Sequence, residues 1–201
     1  MSGRFISFEG VDGSGKSTQA NLLADALRAD GHTVVVTREP GGTPLGEAIR
    51  GLLLDGVAME PMAEALLFAA ARAQHVRELI RPALEAGRWV ICDRFVDSSL
   101  AYQGVGRDLG IDTVWQINAP AVDGCLPDLA VVLDVPPQIT QERATGPGDR
   151  IESEGIELQQ AVSAGYRDLS MQFADRISLV PAMGTPEQVH ASVMMVVAAL
   201  T

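Results

Sequence analysis

The run Gly10-Val11-Asp12-Gly13-Ser14-Gly15-Lys16-Ser17, followed by Thr18, constrains this chain more than any other stretch. It matches the pattern G-x-x-x-x-G-K-[ST] and stands where that pattern belongs. The apolar run Phe5–Phe8 before it reads as a strand. The segment Lys16–Ala29 after it carries Ala20, Leu23, Ala24 and Leu27 at helical spacing. Glycines let successive backbone N–H groups turn inward as an anion nest, and the following helix points its positive end at the same place. Lys16 then reaches the β- and γ-phosphates and Ser17 offers a hydroxyl to Mg²⁺. The stretch predicts a nucleoside triphosphate site formed by residues 10 to 18. Lys16 is also the only lysine of a chain whose lysines and arginines number 15. A compact ammonium suits a tight backbone nest better than a broad guanidinium does.

The rest of the chain continues the strand–helix alternation. Further apolar runs lie at Thr33–Thr37, Trp89–Cys92, Leu129–Val135 and Ile177–Val180, and most of the five runs are apolar on both faces, as central parallel strands are. Between them lie helical patterns at Thr43–Leu54, Glu60–Ala86, Asp112–Gly124, Pro137–Arg143, Glu154–Ala174 and Pro186–Leu200. Pro82 is expected to kink or split the longest of these. Thr185-Pro186-Glu187-Gln188 reads as a capped helix start. The expected fold class is α/β: a P-loop NTPase-type five-stranded parallel sheet with helices on both faces and a short lid. We read residues 1–201 as one domain, with the Gly/Pro-rich lid at about 143–153.

A net charge of −11 repels nucleic-acid polymers and anionic membranes, so neither is expected as a partner. No apolar run approaches the roughly 18 residues of a membrane span. Met1–Ile6 lacks an h-region and a cleavage site, so no signal peptide is expected. Cys92 and Cys125 are too few for a disulfide framework or a zinc site and suit a reducing cytoplasm. His32, His75 and His190 read as surface or helix-face residues.

Trp89-Val90-Ile91-Cys92-Asp93 is an apolar strand ending in a carboxylate, as in a Walker B element, and puts Asp93 beside Ser17 as a residue near Mg²⁺. A P-loop alone does not separate a kinase from an ATPase, a GTPase or a switch. No Asn-Lys-x-Asp guanine motif is present. Arg38, Arg50, Arg72 and Arg94 lie at or near predicted strand ends in an acidic chain, which points to an anionic acceptor, although each taken alone reads equally well as a surface ion pair.

Four blocks carry a family resemblance over nearly the whole chain. They are Phe8 to Thr18, Thr37-Arg38-Glu39-Pro40-Gly41-Gly42-Thr43, Leu67-Phe68-Ala69-Ala70-Ala71-Arg72 and Asp93 to Gly104. In these the chain resembles bacterial thymidylate kinases. The resemblance implies transfer of the ATP γ-phosphoryl group to dTMP with Mg²⁺. It implies that Phe68 stacks on the base, that Arg72, Ser99 and Gln103 meet its edge, and that Tyr102 packs by the sugar 2′ position. On residue type alone, Phe68 would be a core side chain. Asp12 would hold the 3′-hydroxyl. Arg38, Arg50 and Arg94 would serve the acceptor phosphate, with Arg94 nearest the transferred group. Glu39-Pro40 matches a cis-proline site next to the acceptor. Arg150 would be the lid arginine that reaches the triphosphate, and Arg143 would line the adenine side. A homodimer is also implied, with part of helix 60–86 as its face. Another nucleoside monophosphate kinase, or a non-catalytic ATP-binding switch, remains the alternative at this point.

Overall fold

The computed structural model describes residues 3–55, 58–143 and 149–200, without the side chains of Arg143 and Glu152. The strands β1 (Phe5–Glu9), β2 (Val34–Arg38), β3 (Trp89–Asp93), β4 (Leu129–Asp134) and β5 (Ile177–Pro181) form one parallel sheet in the order β2-β3-β1-β4-β5. Each agrees to about one residue at either end with a run read from the sequence. The chain runs outward from β1 to β2, returns by β3 and crosses to β4. That reversal opens a crevice at the carboxyl ends of the strands, where open α/β sheets bind ligands.

Period-two alternation divides the strand side chains between two helical layers. Ile6, Phe8, Ile91, Val131 and Leu133 pack with Leu23 and Leu27 of α1 (Lys16–Ala29) and Val189 and Val193 of α9 (Pro186–Val197). On the other face, Phe5, Val90 and Cys92 pack with Val76, Ile80 and Val122. Ala130 and Val132 pack there with Val162, Tyr166 and Leu169. Burial on both faces is why the central strands β1, β3 and β4 read as continuous apolar runs, whereas the edge strands β2 and β5 are partly exposed.

The remaining helices are α2 (Pro44–Leu54), α3 (Pro61–His75), α4 (Arg81–Glu85), α5 (Val96–Ser99), α6 (Ile111–Val122), α7 (Pro137–Arg143) and α8 (Ile156–Gln172). At Pro82, where a kink or split was expected, the helical winding is interrupted without a break in the chain of helical residues. A π-helical turn (Val76–Ile80) joins α3 to α4, and the Arg81 N–H bonds Val76 O, five residues back. The extra residue resets the ladder, so Pro82 falls in the first turn of α4, where its missing N–H costs little. The capping box expected at Thr185 and Gln188 is present. One helical stretch was not marked by the sequence pattern: α5 continues as a π-helical segment (Leu100–Gly106). Of the expected lid, residues 144–148 and the Arg143 side chain lie outside the described residues, and the rest ends in a short 3-10 turn (Glu152–Glu154). Among the described residues no helix is long and apolar enough to cross a membrane.

Candidate active site

The loop after β1 is shaped by its glycines. Gly10 has φ 132°, and a Cβ there would lie 2.8 Å from Leu133 O. Gly15, at φ 95°, is the N-cap of α1 and leaves the first amides of that helix without a side-chain cap. Those amides keep their donors for an anion. Lys16 is buried beneath the loop and its Nζ donates to Val11 O at 2.9 Å. Burial, and then the Arg94 cation, lower its ammonium to about 8, with Asp12, Asp93 and Glu9 pulling the other way. Ser17 Oγ donates to Asp93 Oδ2 across the mouth of the crevice.

Arg94 leaves β3 at φ 72°, a left-handed conformation uncommon outside glycine. Its guanidinium is held on several sides. Nη1 donates to Gly10 O at 2.9 Å and to Ser98 Oγ at 3.2 Å, while Nη2 donates to Asp12 Oδ1 and to Tyr102 OH at 3.2 Å. Tyr102 OH in turn donates to Asp12 Oδ2 at 2.8 Å. Burial alone would raise the Asp12 carboxyl, but the Arg94 and Lys16 cations outweigh it and hold Asp12 well below the usual carboxylate range.

Beneath Arg94 lies Glu9, fully buried at the end of β1. Its Oε2 accepts from Ser98 Oγ at 2.6 Å and its Oε1 from the Phe95 N–H at 3.0 Å. Burial and the neighbouring Asp97 carboxylate raise Glu9 to about 7. The folded state therefore favours the protonated acid. This stabilisation is complete below about pH 4.5 and is lost as pH rises through 7. Glu9→Gln, a neutral isostere, is expected to gain stability over the parent as pH rises from 5 to 7.5, by on the order of 1–3 kcal/mol. Urea melts of both proteins across that range check it. A difference that does not change with pH would mean that Glu9 is not held protonated.

At the far end of the same cleft, of about 420 Å³, Phe68 and Arg72 of α3 face Ser99, Tyr102 and Gln103. Arg72 is 1% exposed. Its Nε donates to Glu39 Oε2 at 2.8 Å, and its Nη1 donates to Ser99 Oγ at 3.2 Å and to Asn118 Oδ1. Gln103 Nε2 donates to Glu64 Oε1 at 2.9 Å. A carboxylate only accepts, so the amide nitrogen must face Glu64 and Oε1 is left as a buried acceptor with no partner. The Glu39–Pro40 peptide is cis, as the resemblance implied.

A family model described as thymidylate kinase matches residues 8–193. The chain belongs to the thymidylate kinase family. The thymidylate kinase of Pelotomaculum thermopropionicum is 50% identical over 199 residues, covering 96% of this chain and 92% of that protein. That of Halothermothrix orenii is 48% identical over 199 residues, covering 96% and 95%. The crystal structure of thymidylate kinase from Ehrlichia chaffeensis matches with a TM-score of 0.82 at 34% identity, covering 98% of this chain and 99% of that one.

Most of the residues singled out from the sequence of this family member meet in one cleft. It is lined by Asp12, Gly13, Gly15, Lys16, Ser17 and Thr18 of the loop and by Asp93 and Arg94 at the end of β3, with Arg38, Glu39, Arg50, Phe68, Arg72, Ser99, Tyr102 and Gln103 opposite. Val11 and Ser14 are buried within the loop. Arg38 pairs with Glu47 at 3.0 Å and Arg50 Nη1 donates to Pro40 O at 3.0 Å. Arg150 is not among the lining residues. Its Nε donates to Leu53 O at 2.9 Å and its Nη2 to Glu64 Oε2 at 2.5 Å. Hydrogen bonds from Arg107, Arg150 and Gln103 outweigh burial and hold Glu64 below its ordinary range.

Sequence reasoning missed Glu64, Asn118, His75 and Gln159, whose Nε2 lies 3.5 Å from Asp12 Oδ2. Their partners are remote in the chain, which leaves no local pattern. His75 alone had a signal, because it stands three residues after Arg72 on one helix face.

Proposed function

We propose that this chain transfers the γ-phosphoryl group of ATP to dTMP, giving ADP and dTDP. The observation that carries the reading is the cleft itself, with the Lys16 phosphate loop at one end, the Phe68–Arg72–Gln103 base pocket at the other, and Arg94 and Asp12 between them. In thymine a carbonyl adjoins N3–H. Arg72 supplies a donor and Gln103 Oε1 an unpaired acceptor, which complements that edge. Cytosine presents the reverse pattern. Phe68 supplies a flat apolar face for the ring.

A 5′-phosphate oxygen is already ionised near neutral pH, so the attack needs no general base. The residues position the reactants and stabilise charge. Asp12, kept ionised by Arg94, is the acceptor for the sugar 3′-hydroxyl, and Tyr102 closes the 2′ side. Arg38, Arg50 and Arg94 serve the acceptor phosphate. Mg²⁺ arrives with ATP. Among the described residues no cluster of three or more His, Cys, Asp or Glu could hold a metal by itself. The Ser17 hydroxyl and Asp93 carboxylate are hard oxygen donors suited to Mg²⁺ once nucleotide oxygens complete the shell. When bound, the ion neutralises charge on the β- and γ-oxygens.

Residues 1–201 act as one domain with a lid at about 143–153. Arg150 reaches the triphosphate by leaving Glu64 and Leu53. Leu45 and Leu52 of α2 and Met62 and Leu66 of α3 are exposed apolar side chains on adjacent helices, which supports a homodimer through that face. The enzyme works in the cytoplasm.

The test is ADP release with Mg·ATP across dTMP, dUMP, dCMP, dGMP, AMP and UMP. The highest turnover is expected on dTMP, with little release when no acceptor is present. Best turnover on a purine monophosphate would sink the reading, and acceptor-independent release would favour an ATPase or switch. Phe68→Ala is expected to raise the KM for dTMP about tenfold, the worth of one aromatic contact, with the KM for ATP unchanged.

A further inference from the structure

We infer that His75 is a positioning residue for base recognition, acting through Glu39 on Arg72. The inference rests on the reading above in which Arg72 meets the base edge.

Arg72 and His75 lie three residues apart on α3 and are 1% and 0% exposed. The buried Glu39 carboxylate spans them. Its Oε2 accepts from Arg72 Nε at 2.8 Å, and its Oε1 lies 3.0 Å from His75 Nδ1. A carboxylate only accepts, so Nδ1 carries a proton. In the neutral ring Nε2 is then an acceptor, and Thr37 Oγ1 stands 2.8 Å from it. Thr37 belongs to β2, where it pairs in register with Cys92, and the Glu39 N–H bonds Asp93 O at 2.9 Å. A hydrogen-bonded chain thus runs from the sheet through Thr37, His75 and Glu39 to the Arg72 guanidinium.

Arg72, Glu39 and His75 are closed to water, while the Thr37–His75 contact is part-buried. Gly42 lies over the Thr37–His75 contact, at φ 76°, and a Cβ there would come 2.6 Å from His75 Nε2 and 2.7 Å from Thr37 Oγ1. Solvent therefore cannot replace a partner that Glu39 loses. A buried carboxylate released from His75 turns to find another donor, and Arg72, bonded to its second oxygen, moves with it. Among the described residues the P-loop makes no direct hydrogen bond to Thr37, His75, Glu39 or Arg72; the one link runs through Asp93, whose backbone oxygen takes the Glu39 N–H and whose carboxylate takes Ser17, so the effect belongs chiefly to the dTMP end.

The test uses full-length His75→Gln and His75→Asn. Glutamine can keep the Nε2 contact with Thr37 and lose the one with Glu39; asparagine can keep a donor near Nδ1. His75→Gln is expected to raise the KM for dTMP about tenfold, with kcat within about threefold of the parent and the KM for ATP unchanged. His75→Asn is expected to restore most of the loss. An unchanged dTMP KM in His75→Gln, equal effects of the two variants, or kcat and both KM values drifting together would overturn the inference. Should both histidine variants fail to fold, Thr37→Val keeps the shape and removes the anchor. It is expected to raise the dTMP KM about threefold, and no rise would again overturn the inference. Arg72→Lys separates the two levels. If it leaves the dTMP KM unchanged, the base-edge reading of Arg72 fails. If it raises that KM while His75→Gln does not, the role given to His75 fails alone.

Discussion

Arg94→Ala is expected to lower kcat about 10³-fold at saturating ATP and dTMP, the loss found when a guanidinium is withdrawn from a transferring phosphoryl group. The expectation comes from how Arg94 is held. Five protein oxygens fix its fork, on Gly10, Asp12, Ser98, Tyr102 and Tyr166, and the guanidinium carbon lies 5.0 Å from the Tyr102 ring centre. A side chain so restrained is already in place before the transition state forms, so charge that develops there meets a fixed cation with no reorganisation. The backbone at φ 72° adds to this, because a strained residue persists only where its surroundings over-determine it. Arg94→Lys keeps the charge but cannot make the fork, and is expected to recover about tenfold of the loss. Coupled ADP release measures both variants, and thermal melts confirm that they fold. A near-parental kcat in Arg94→Ala would remove Arg94 from the chemistry. The KM for dTMP is also expected to rise, because Asp12 loses the cation that chiefly offsets its burial.

What the sequence revealed, and what it concealed, divides along physical lines. The P-loop was legible because its chemistry is local: residues 10 to 18 shape their own backbone and need nothing distant to do so. The central strands β1, β3 and β4 were legible because burial on both faces leaves uninterrupted apolar runs, and the edge strands β2 and β5 through their β-branched residues. The helical stretch 96–106 was not, because its signal is inverted. It turns Ser98, Ser99, Tyr102 and Gln103 toward the cleft and is π-wound over its second half, so the usual 3.6-residue apolar periodicity is missing. Pro82 marked the interruption but not its form, since the inserted π turn that accommodates it has no sequence mark. The pocket proposed for the base was approached only through family resemblance. Glu39 meets Arg72 across 33 residues and Asn118 meets it across 46, and no local pattern encodes such pairs. Arg150 shows the same limit. The resemblance implied a role at the triphosphate for it, and nothing local announced its contact with Glu64, 86 residues away.

Lys16→Ala is expected to reduce kcat/KM for ATP by about 10²–10³-fold, the cost of removing one preorganised charge from a developing anion. The fold is expected to survive, because the deleted ammonium makes one hydrogen bond, to Val11 O, in a site that burial already disfavours for a cation. That same tension gives the parent enzyme a pH signature. With Lys16 lowered to about 8 in the nucleotide-free protein, kcat/KM for ATP should decline above pH 8, since this quantity reports the ionisation of the free enzyme. Bound triphosphate adds negative charge beside the ammonium and raises its pKa, so the decline in kcat should begin at higher pH. A kcat/KM profile flat to pH 9.5 would mean that the buried ammonium does not titrate in this range. The limb should vanish in Lys16→Ala, which has nothing left to titrate there, and that separates Lys16 from Tyr102 and Tyr166, whose hydroxyls burial pushes above their ordinary range. Lys16→Arg should not rescue activity. Its charge survives at every pH, but a planar fork does not fit a nest closed around a single nitrogen. Loss of activity in that variant would show that the fit of the lone lysine matters as well as its charge.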